Sequence, residues 1–104
     1  MAQNIISILI VDNDPSIQTL FKAVLERVGY KVDLASDALE AAALLEMQPF
    51  HLALIELKLR GPSGLDLIRR IQDWQPDCAM VMTSVNPTRE DLLQALRAGV
   101  DDFL

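Results

Sequence analysis

Three polar side chains that could bind a metal ion or a phosphoryl group each follow a run of apolar residues. They are Asp12, Glu56 and Thr83, at three places spread along the chain. If the apolar runs are neighbouring strands of one sheet, both carboxylates point into a shared crevice and repel each other unless a cation or a donor lies between them. A divalent ion such as Mg²⁺, which prefers oxygen ligands, would relieve that repulsion. Each acid alone could equally be a solvated cap, but the three together favour a site.

The elements that must position these residues alternate in type along the chain. Apolar, β-branched runs predict strands at 6–11, 32–35, 52–55 and 79–82, with Phe103 and Leu104 beginning a fifth. Residues at helical spacing, with Asp, Pro and Gly at the ends, predict helices within 14–29, 37–49, 65–76 and 92–99. Strands that alternate with helices predict right-handed crossovers and a parallel, doubly wound α/β sheet. Its site should lie outside the carboxyl ends of the strands.

Composition limits the classes of protein to be considered. The chain has 104 residues, of which 51% are hydrophobic, so residues 1–104 are expected to form one domain with one core. The net charge of −6 argues against direct binding of nucleic acid, which requires Lys and Arg to neutralise phosphates. No leader or membrane-spanning pattern is found, and the lone Cys78 suits a buried position in a reducing compartment. These features predict a soluble, cytoplasmic protein.

Four segments of the chain resemble a known family. ILIVDNDPSI, LALIELKLRGPSGLDLI, VMTS and AGVDDFL are similar, in order and spacing, to the first, third, fourth and fifth strand signatures of response regulator receiver domains. The resemblance covers essentially the whole chain. It implies a flavodoxin-like fold with strand order 2-1-3-4-5 and a non-enzymatic role in a two-component phosphorelay. It also implies a sensor histidine kinase as partner and an output domain in the native chain.

The resemblance assigns a role to individual residues. In the family, an aspartate at the end of the third strand accepts the phosphoryl group, and acids after the first strand hold Mg²⁺ together with a backbone carbonyl. This chain has Glu56 at the acceptor position. The remaining assignments are Asp12, Asn13, Glu56 and the Lys58 carbonyl to the metal, Thr83 and Phe103 to phosphoryl binding and switching, and Gly64 to the glycine after the acceptor loop.

Three positions depart from the family pattern. Asn13 replaces the second acid, Glu56 replaces the acceptor aspartate, and Arg60 stands where a proline is usual. The extra methylene of Glu56 moves its carboxylate forward by ~1.5 Å, whereas in-line transfer needs closely held reacting atoms. Phosphorylation is therefore expected to suffer, and Mg²⁺ binding to weaken. The charge of Glu56 could instead imitate the activated state, and Lys58 could pair with it, although a solvated lysine is the simpler interpretation.

Three functions are considered. The first is a degenerate receiver that acts through protein contacts of the surface formed by residues 91–103. The second is a phospho-accepting receiver of low activity. The third is a phosphohydrolase of the haloacid-dehalogenase type, whose first motif is similar to Asp12-Asn13-Asp14 and whose second-motif hydroxyl could be Thr83. The third lacks a lysine candidate and room for a cap domain.

The end of the sequence raises a further expectation. The lysine of the family's fifth strand would fall two residues beyond Leu104, and the family's fifth helix is absent from this chain. An apolar face without that helix would favour a homodimer or marginal stability. Asp101 and Asp102, just before this end, are interpreted as solvated turn acids.

Overall fold

The computed structural model describes residues 5–59 and 63–104, so Arg60 and the loop at 60–62 lie outside the described residues. Strands and helices alternate throughout. Their bounds are β1 Ser7–Val11, α1 Pro15–Val28, β2 Lys31–Ala35, α2 Ala38–Met47, β3 Leu52–Glu56, α3 Gly64–Trp74, β4 Ala79–Thr83, α4 Arg89–Ala98 and β5 Asp102–Phe103.

The five strands form one parallel sheet in the order β2-β1-β3-β4-β5. This confirms the predicted α/β, flavodoxin-like topology, with four helices among the described residues. Chain order reverses between β1 and β3, which pair with Val11 opposite Ile55. The sheet continues with Glu56 opposite Thr83, so the polar residues that end these strands meet at one edge.

Alternation along the strands divides the core between the two faces of the sheet. Leu9, Ile55 and Met82 belong to the larger cluster, which packs against α2, α3 and α4. Ile10 and Leu54 belong to the smaller cluster, which packs against Phe21 and Leu25 of α1 and other half-buried residues. By the same alternation, Asp12, Glu56 and Thr83 lie on the side of the sheet that α1 covers.

The helix ends follow local side-chain chemistry. Asp14 caps α1 by accepting a hydrogen bond from the backbone N–H of Ser16 at 2.8 Å, and α1 ends at Gly29 in the left-handed conformation, as expected. The helices α3 and α4 begin earlier than predicted. Each opens with a capping box, Ser63 with Asp66 and Thr88 with Asp91. The S-x-x-D and T-x-x-D spacings in the sequence are the signals that indicate these earlier helix starts.

The fifth strand is short, and the interpretation of Asp101, the residue before it, has to be corrected. It covers Asp102–Phe103, one residue before the predicted start, and the backbone N–H of Leu104 still donates to the Met82 carbonyl at 2.8 Å. The Asp101 carboxylate accepts a hydrogen bond from the backbone N–H of Met80 at 2.7 Å. Asp101 therefore links β4 to the segment just before β5 through this hydrogen bond, and it is not merely a solvated turn acid.

The helix α1 is the least covered of the helices. None of its side chains is fully buried, and Leu20, Val24 and Val28 are each at least half exposed. By contrast, α3 buries Leu67 and Ile71 completely or almost so. Within 5–59 and 63–104, no helix combines the length and hydrophobicity needed to cross a membrane.

Candidate functional site

The carboxyl ends of β1, β3 and β4 surround a small cavity of about 200 Å³. Its polar wall is made by Asp12, Glu56 and Thr83, with Ser84 beside them. The other lining residues are apolar: Ile17, Phe21 and Val85. The structure thus brings together the three polar residues with which the sequence analysis began.

Asp12 is held in place by backbone contacts on both sides. It is only 9% exposed, and its Oδ1 accepts a hydrogen bond from the backbone N–H of Asp14 at 2.8 Å. Its own backbone N–H donates to the Ala35 carbonyl at 3.0 Å. One carboxylate oxygen is therefore engaged by the turn, which fixes the direction in which Asp12 faces the cavity.

Gln18 also holds this edge of the sheet, and the sequence analysis did not identify it. Its Nε2 donates to the Asp12 carbonyl at 2.5 Å and to the Ser36 hydroxyl at 3.2 Å. These bonds tie the first turns of α1 to the ends of β1 and β2. A polar residue on the sheet-facing side of an amphipathic helix was the only sequence signal for this role.

Glu56 is the last residue of β3 and lies directly opposite Thr83. Its backbone is confined because Gly64, at the start of α3, packs onto it. A Cβ atom added at Gly64 would lie 2.5 Å from the Glu56 carbonyl oxygen and 2.9 Å from Met82 Cε. The Oε2 atom of Glu56 is buried and has no hydrogen-bond partner among the described residues.

The surroundings of Glu56 oppose its negative charge. Burial raises the pKa of Glu56 above its usual value of 4.5, and repulsion by Asp12 adds to the rise. The nearby backbone N–H of Asn13 acts in the opposite direction and lowers the pKa of Glu56. The two carboxyl groups therefore favour sharing a proton or a cation.

Neither Asn13 nor Lys58, whose carbonyl was the expected ligand, is among the residues that line this cavity. Asn13 is exposed and does not line the cavity. Lys58 is also exposed, and the described residues show no ion pair between it and Glu56. Hydrogen bonding from the Thr88 backbone lowers the pKa of Asp91, and the positive charge of Lys58 contributes. The described residues show no ion pair of Lys58 with Asp91 either, so its side chain is a solvated lysine.

Phe103 lies on the other face of the sheet. It pairs with Met82 and packs, half-buried, against the core that α2, α3 and α4 cover. It is not among the residues that line the cavity of Glu56 and Thr83. The structure therefore separates Phe103 from the polar residues with which the sequence analysis grouped it.

The possible metal donors in this cavity are two carboxylates. The described part of the chain contains no group of three or more His, Cys, Asp or Glu side chains that could hold a metal. It does place two carboxylates in one cavity, with a buried carboxylate oxygen that lacks a partner. Mg²⁺ commonly uses one or two carboxylates and completes its shell with water.

Comparison with known families and curated proteins gives a consistent result. The family model described as response regulator receiver domain matches residues 8–104. The response regulator protein PilR of Pseudomonas aeruginosa is 38% identical over 96 residues, and the alginate biosynthesis transcriptional regulatory protein AlgB of the same organism is 34% identical over 97. These alignments cover 92% and 93% of this chain. The chain spans only 22% of the length of either relative.

Solved structures resemble the fold closely. A CheY-like receiver domain protein from Methanospirillum hungatei superposes with a TM-score of 0.92 at 33% identity, covering 97% of this chain and 81% of the other. A response regulator from Burkholderia pseudomallei, solved with a phosphorylated aspartic acid, a calcium ion and citrate, gives a TM-score of 0.90 at 29% identity. That match covers 95% of this chain and 58% of the other.

Proposed function

The chain belongs to the response regulator receiver domain family, and from this premise we propose that it is a degenerate receiver of a two-component phosphorelay. In this proposal Glu56 occupies the acceptor position without conventional phosphorylation. Signalling then proceeds through protein contacts. The family membership supports interpreting the Asp12-Asn13-Asp14 motif as that of a receiver rather than that of a hydrolase of the haloacid-dehalogenase type.

The observation that carries the proposal is the confinement of Glu56 between its neighbours. The Glu56 backbone pairs with Thr83 on one side, and Gly64 packs closely against the Glu56 carbonyl oxygen. The strand therefore cannot retreat to compensate for the extra methylene of glutamate. The carboxylate is displaced forward by ~1.5 Å, and in-line phosphoryl transfer tolerates such a displacement poorly.

A weak Mg²⁺ site is part of the proposal. Asp12 and Glu56 would supply the carboxylate ligands, with the Lys58 carbonyl and Asn13 as further oxygen donors. A bound cation would neutralise charge on phosphoryl oxygens in this cavity. Without it, Asp12 and Glu56 repel each other, which agrees with the direction of the Glu56 pKa. Replacing the second acid by Asn13 removes one formal charge, so weak affinity is expected.

The proposed partners are other signalling proteins. A sensor histidine kinase and an output domain follow from the relatives, which are described as a response regulator and a transcriptional regulatory protein. The contact surface we propose is formed by residues 91–103, which include most of α4 and the whole of β5. Leu92 and Leu96 are exposed there and would supply apolar contacts.

A phospho-accepting receiver of low activity is the second candidate. It is favoured by Asp12 and Thr83, which line the cavity beside Glu56. The structural relative from Burkholderia pseudomallei carries a phosphorylated aspartic acid. If this candidate is right, Glu56 should itself acquire a phosphoryl group.

Intact-protein mass spectrometry after incubation with acetyl phosphate and Mg²⁺ separates the two candidates. We expect no phosphoryl adduct on the native protein, because the Glu56 carboxylate is out of line with the incoming group. Glu56→Asp should gain an adduct, because its carboxylate recovers the shorter reach. Glu56→Asp combined with Asp12→Asn is the matched control. It should show no adduct, because the carboxylate of Asp12 that would hold the metal is removed. A stoichiometric adduct on Glu56 of the native protein would falsify the degenerate-receiver proposal.

A further inference from the structure

A second cleft lies between α3 and the C-terminal half of α4, and none of its residues lines the Glu56 cavity. Its volume is about 520 Å³. Leu65 and Ala98 supply apolar surface. The other lining side chains are long and polar and belong to Arg69, Gln72, Gln94 and Arg97.

The walls of this α3–α4 cleft are tied to each other. Gln72 Nε2, on α3, donates to the carbonyl of Ala98, in the last turn of α4, at 2.7 Å. Gly99 follows in the left-handed conformation, and a Cβ atom there would lie 2.8 Å from Gln72 Nε2. Glycine at position 99 suits the left-handed end of α4, and the hydrogen bond from Gln72 to Ala98 holds the two walls together.

The two arginines place positive charge on both walls. Arg69 belongs to α3 and has one acidic neighbour, Asp66, at 3.9 Å. That pair is well exposed, so it contributes little. Arg97 belongs to α4, and the described residues show no ion pair to it. Two cationic side chains thus face one cleft in a chain whose net charge is −6.

An ordinary structural role explains each arginine by itself, but it does not explain why both line the same cleft. Arg97 lies in the last turn of α4, where a cation complements the helix dipole. Arg69 is three residues after Asp66 on the same helix, a spacing that favours a weak ion pair. Neither role requires the two guanidinium groups to share a cleft with the amides of Gln72 and Gln94. The shared cleft is the feature that needs another explanation.

We propose that the α3–α4 cleft binds a protein segment that carries two or more acidic side chains. Guanidinium groups present paired N–H donors that match a carboxylate, so Arg69 and Arg97 can each hold one. Gln72 already donates to the Ala98 carbonyl and Gln94 to Glu90, so only the second N–H of each amide is left for the segment. Leu65 receives the aliphatic part of the segment. The partner is acidic because its carboxylates complement the positive charge of the two arginines, and this local attraction has to exceed the repulsion from the negative net charge of the whole domain.

Fluorescence anisotropy with a labelled oligoglutamate peptide tests this proposal on the native chain. We expect saturable binding that weakens with added salt, and none to an oligoglutamine peptide of the same length. Arg69→Gln with Arg97→Gln should weaken binding by about tenfold or more, because charge-assisted hydrogen bonds are lost. NMR amide shifts on titration should be concentrated at Arg69, Gln72 and Arg97.

The matched control is Arg27→Gln with Arg89→Gln. Both arginines are exposed helix residues outside the cleft, and the double change alters net charge by the same amount. Its peptide affinity should stay close to that of the native chain, and circular dichroism should show that both double variants are folded. Equal loss in the two double variants, or no binding by the native chain, would overturn the proposal. Binding of a phosphoserine peptide without binding of oligoglutamate would also overturn it.

Discussion

The carboxyl group of Glu56 experiences two constraints that act against each other. Its position at the strand end brings it beside Asp12 and Thr83, where a negative charge would resemble a bound phosphoryl group. Burial and repulsion by Asp12 nevertheless raise its pKa and favour the neutral form. The expected imitation of the activated state therefore depends on a cation or donor that compensates the charge.

The raised pKa predicts a specific pH dependence of stability. Since the pKa of Glu56 is higher in the folded chain than in the unfolded one, its contribution is fully present below the ordinary value of 4.5 and is lost as pH rises through the folded-state pKa. Glu56→Gln has no carboxyl group to ionise, so this loss of stability with rising pH should be absent from the variant. We expect the variant to gain stability relative to the native protein at neutral pH, and the difference between them to shrink at acidic pH.

Urea unfolding in the presence of a chelator, at several pH values, measures this effect. Glu46→Gln is the control because Glu46 is exposed on α2, away from the cavity. Parallel stability curves for the native protein and Glu56→Gln across the whole pH range would show that the environment of Glu56 does not oppose its charge.

Gly64 is the second residue on which the site depends. A methyl group at this position would meet the Glu56 carbonyl oxygen, which belongs to a paired strand and cannot move aside. We expect Gly64→Ala to lower the free energy of unfolding by about 2–3 kcal/mol through overpacking. At Gly29 an added methyl group meets open space, and only the left-handed backbone opposes it, at about 1 kcal/mol. Urea unfolding that ranks Gly29→Ala as the more damaging change would contradict this account.

At the scale of single elements, α3 and α4 begin with the same device. In each, a hydroxyl accepts from a backbone N–H of the first turn, and an aspartate three residues later accepts from the backbone of the cap. The two N-termini follow the loops that leave β3 and β4, the strands that carry Glu56 and Thr83. The capping boxes therefore determine where these loops end and contribute to the geometry of the site.

Thr88→Ala tests the cap of α4. Loss of its hydroxyl leaves the Asp91 backbone N–H without its partner, so we expect a loss of about 1 kcal/mol in thermal or urea unfolding. Thr19→Ala is the matched control because the Thr19 hydroxyl bonds only the Pro15 carbonyl one turn earlier in α1. That change should be close to neutral, since alanine favours a helix interior. A neutral Thr88→Ala would mean that the capping box does not stabilise α4.

At the scale of the whole molecule, the two faces of the sheet are covered unequally. Within the part of the chain that the structure describes, three helices pack on one face, whereas α1 alone packs on the other, next to β1 and β2. The exposed apolar side chains near this less covered face include Leu20, Val24 and Val28 of α1 and Val85 after β4. Apolar surface of this kind favours association with other protein surfaces.

We expect the chain of 104 residues to form a homodimer through the less covered face. Multi-angle light scattering of the native chain should give the mass of a dimer, and Leu20→Lys with Val24→Lys should give that of a monomer, because two charges would enter an apolar contact. Leu39→Lys is the control because Leu39 is similarly exposed but lies on α2. A native chain that is monomeric at high concentration contradicts the expectation.

Much of this protein could be predicted from local patterns in its sequence. The apolar runs of the strands and the helical spacing between them require a doubly wound sheet, because each element has to bury its apolar side. In a parallel sheet the strand ends coincide, so the sequence pattern alone predicts that Asp12, Glu56 and Thr83 meet. These inferences depend only on periodicity and on the order of elements.

Other features were decided by the tertiary structure alone. The hydrogen bond from Met80 to Asp101 and the hydrogen bonds made by Gln18 depend on strand register and on the packing of helices. The same is true of the cleft that Arg69 and Arg97 share, since its two walls come from different helices. Sequence spacing reports neighbours along one element, whereas contacts between elements depend on how the whole core packs.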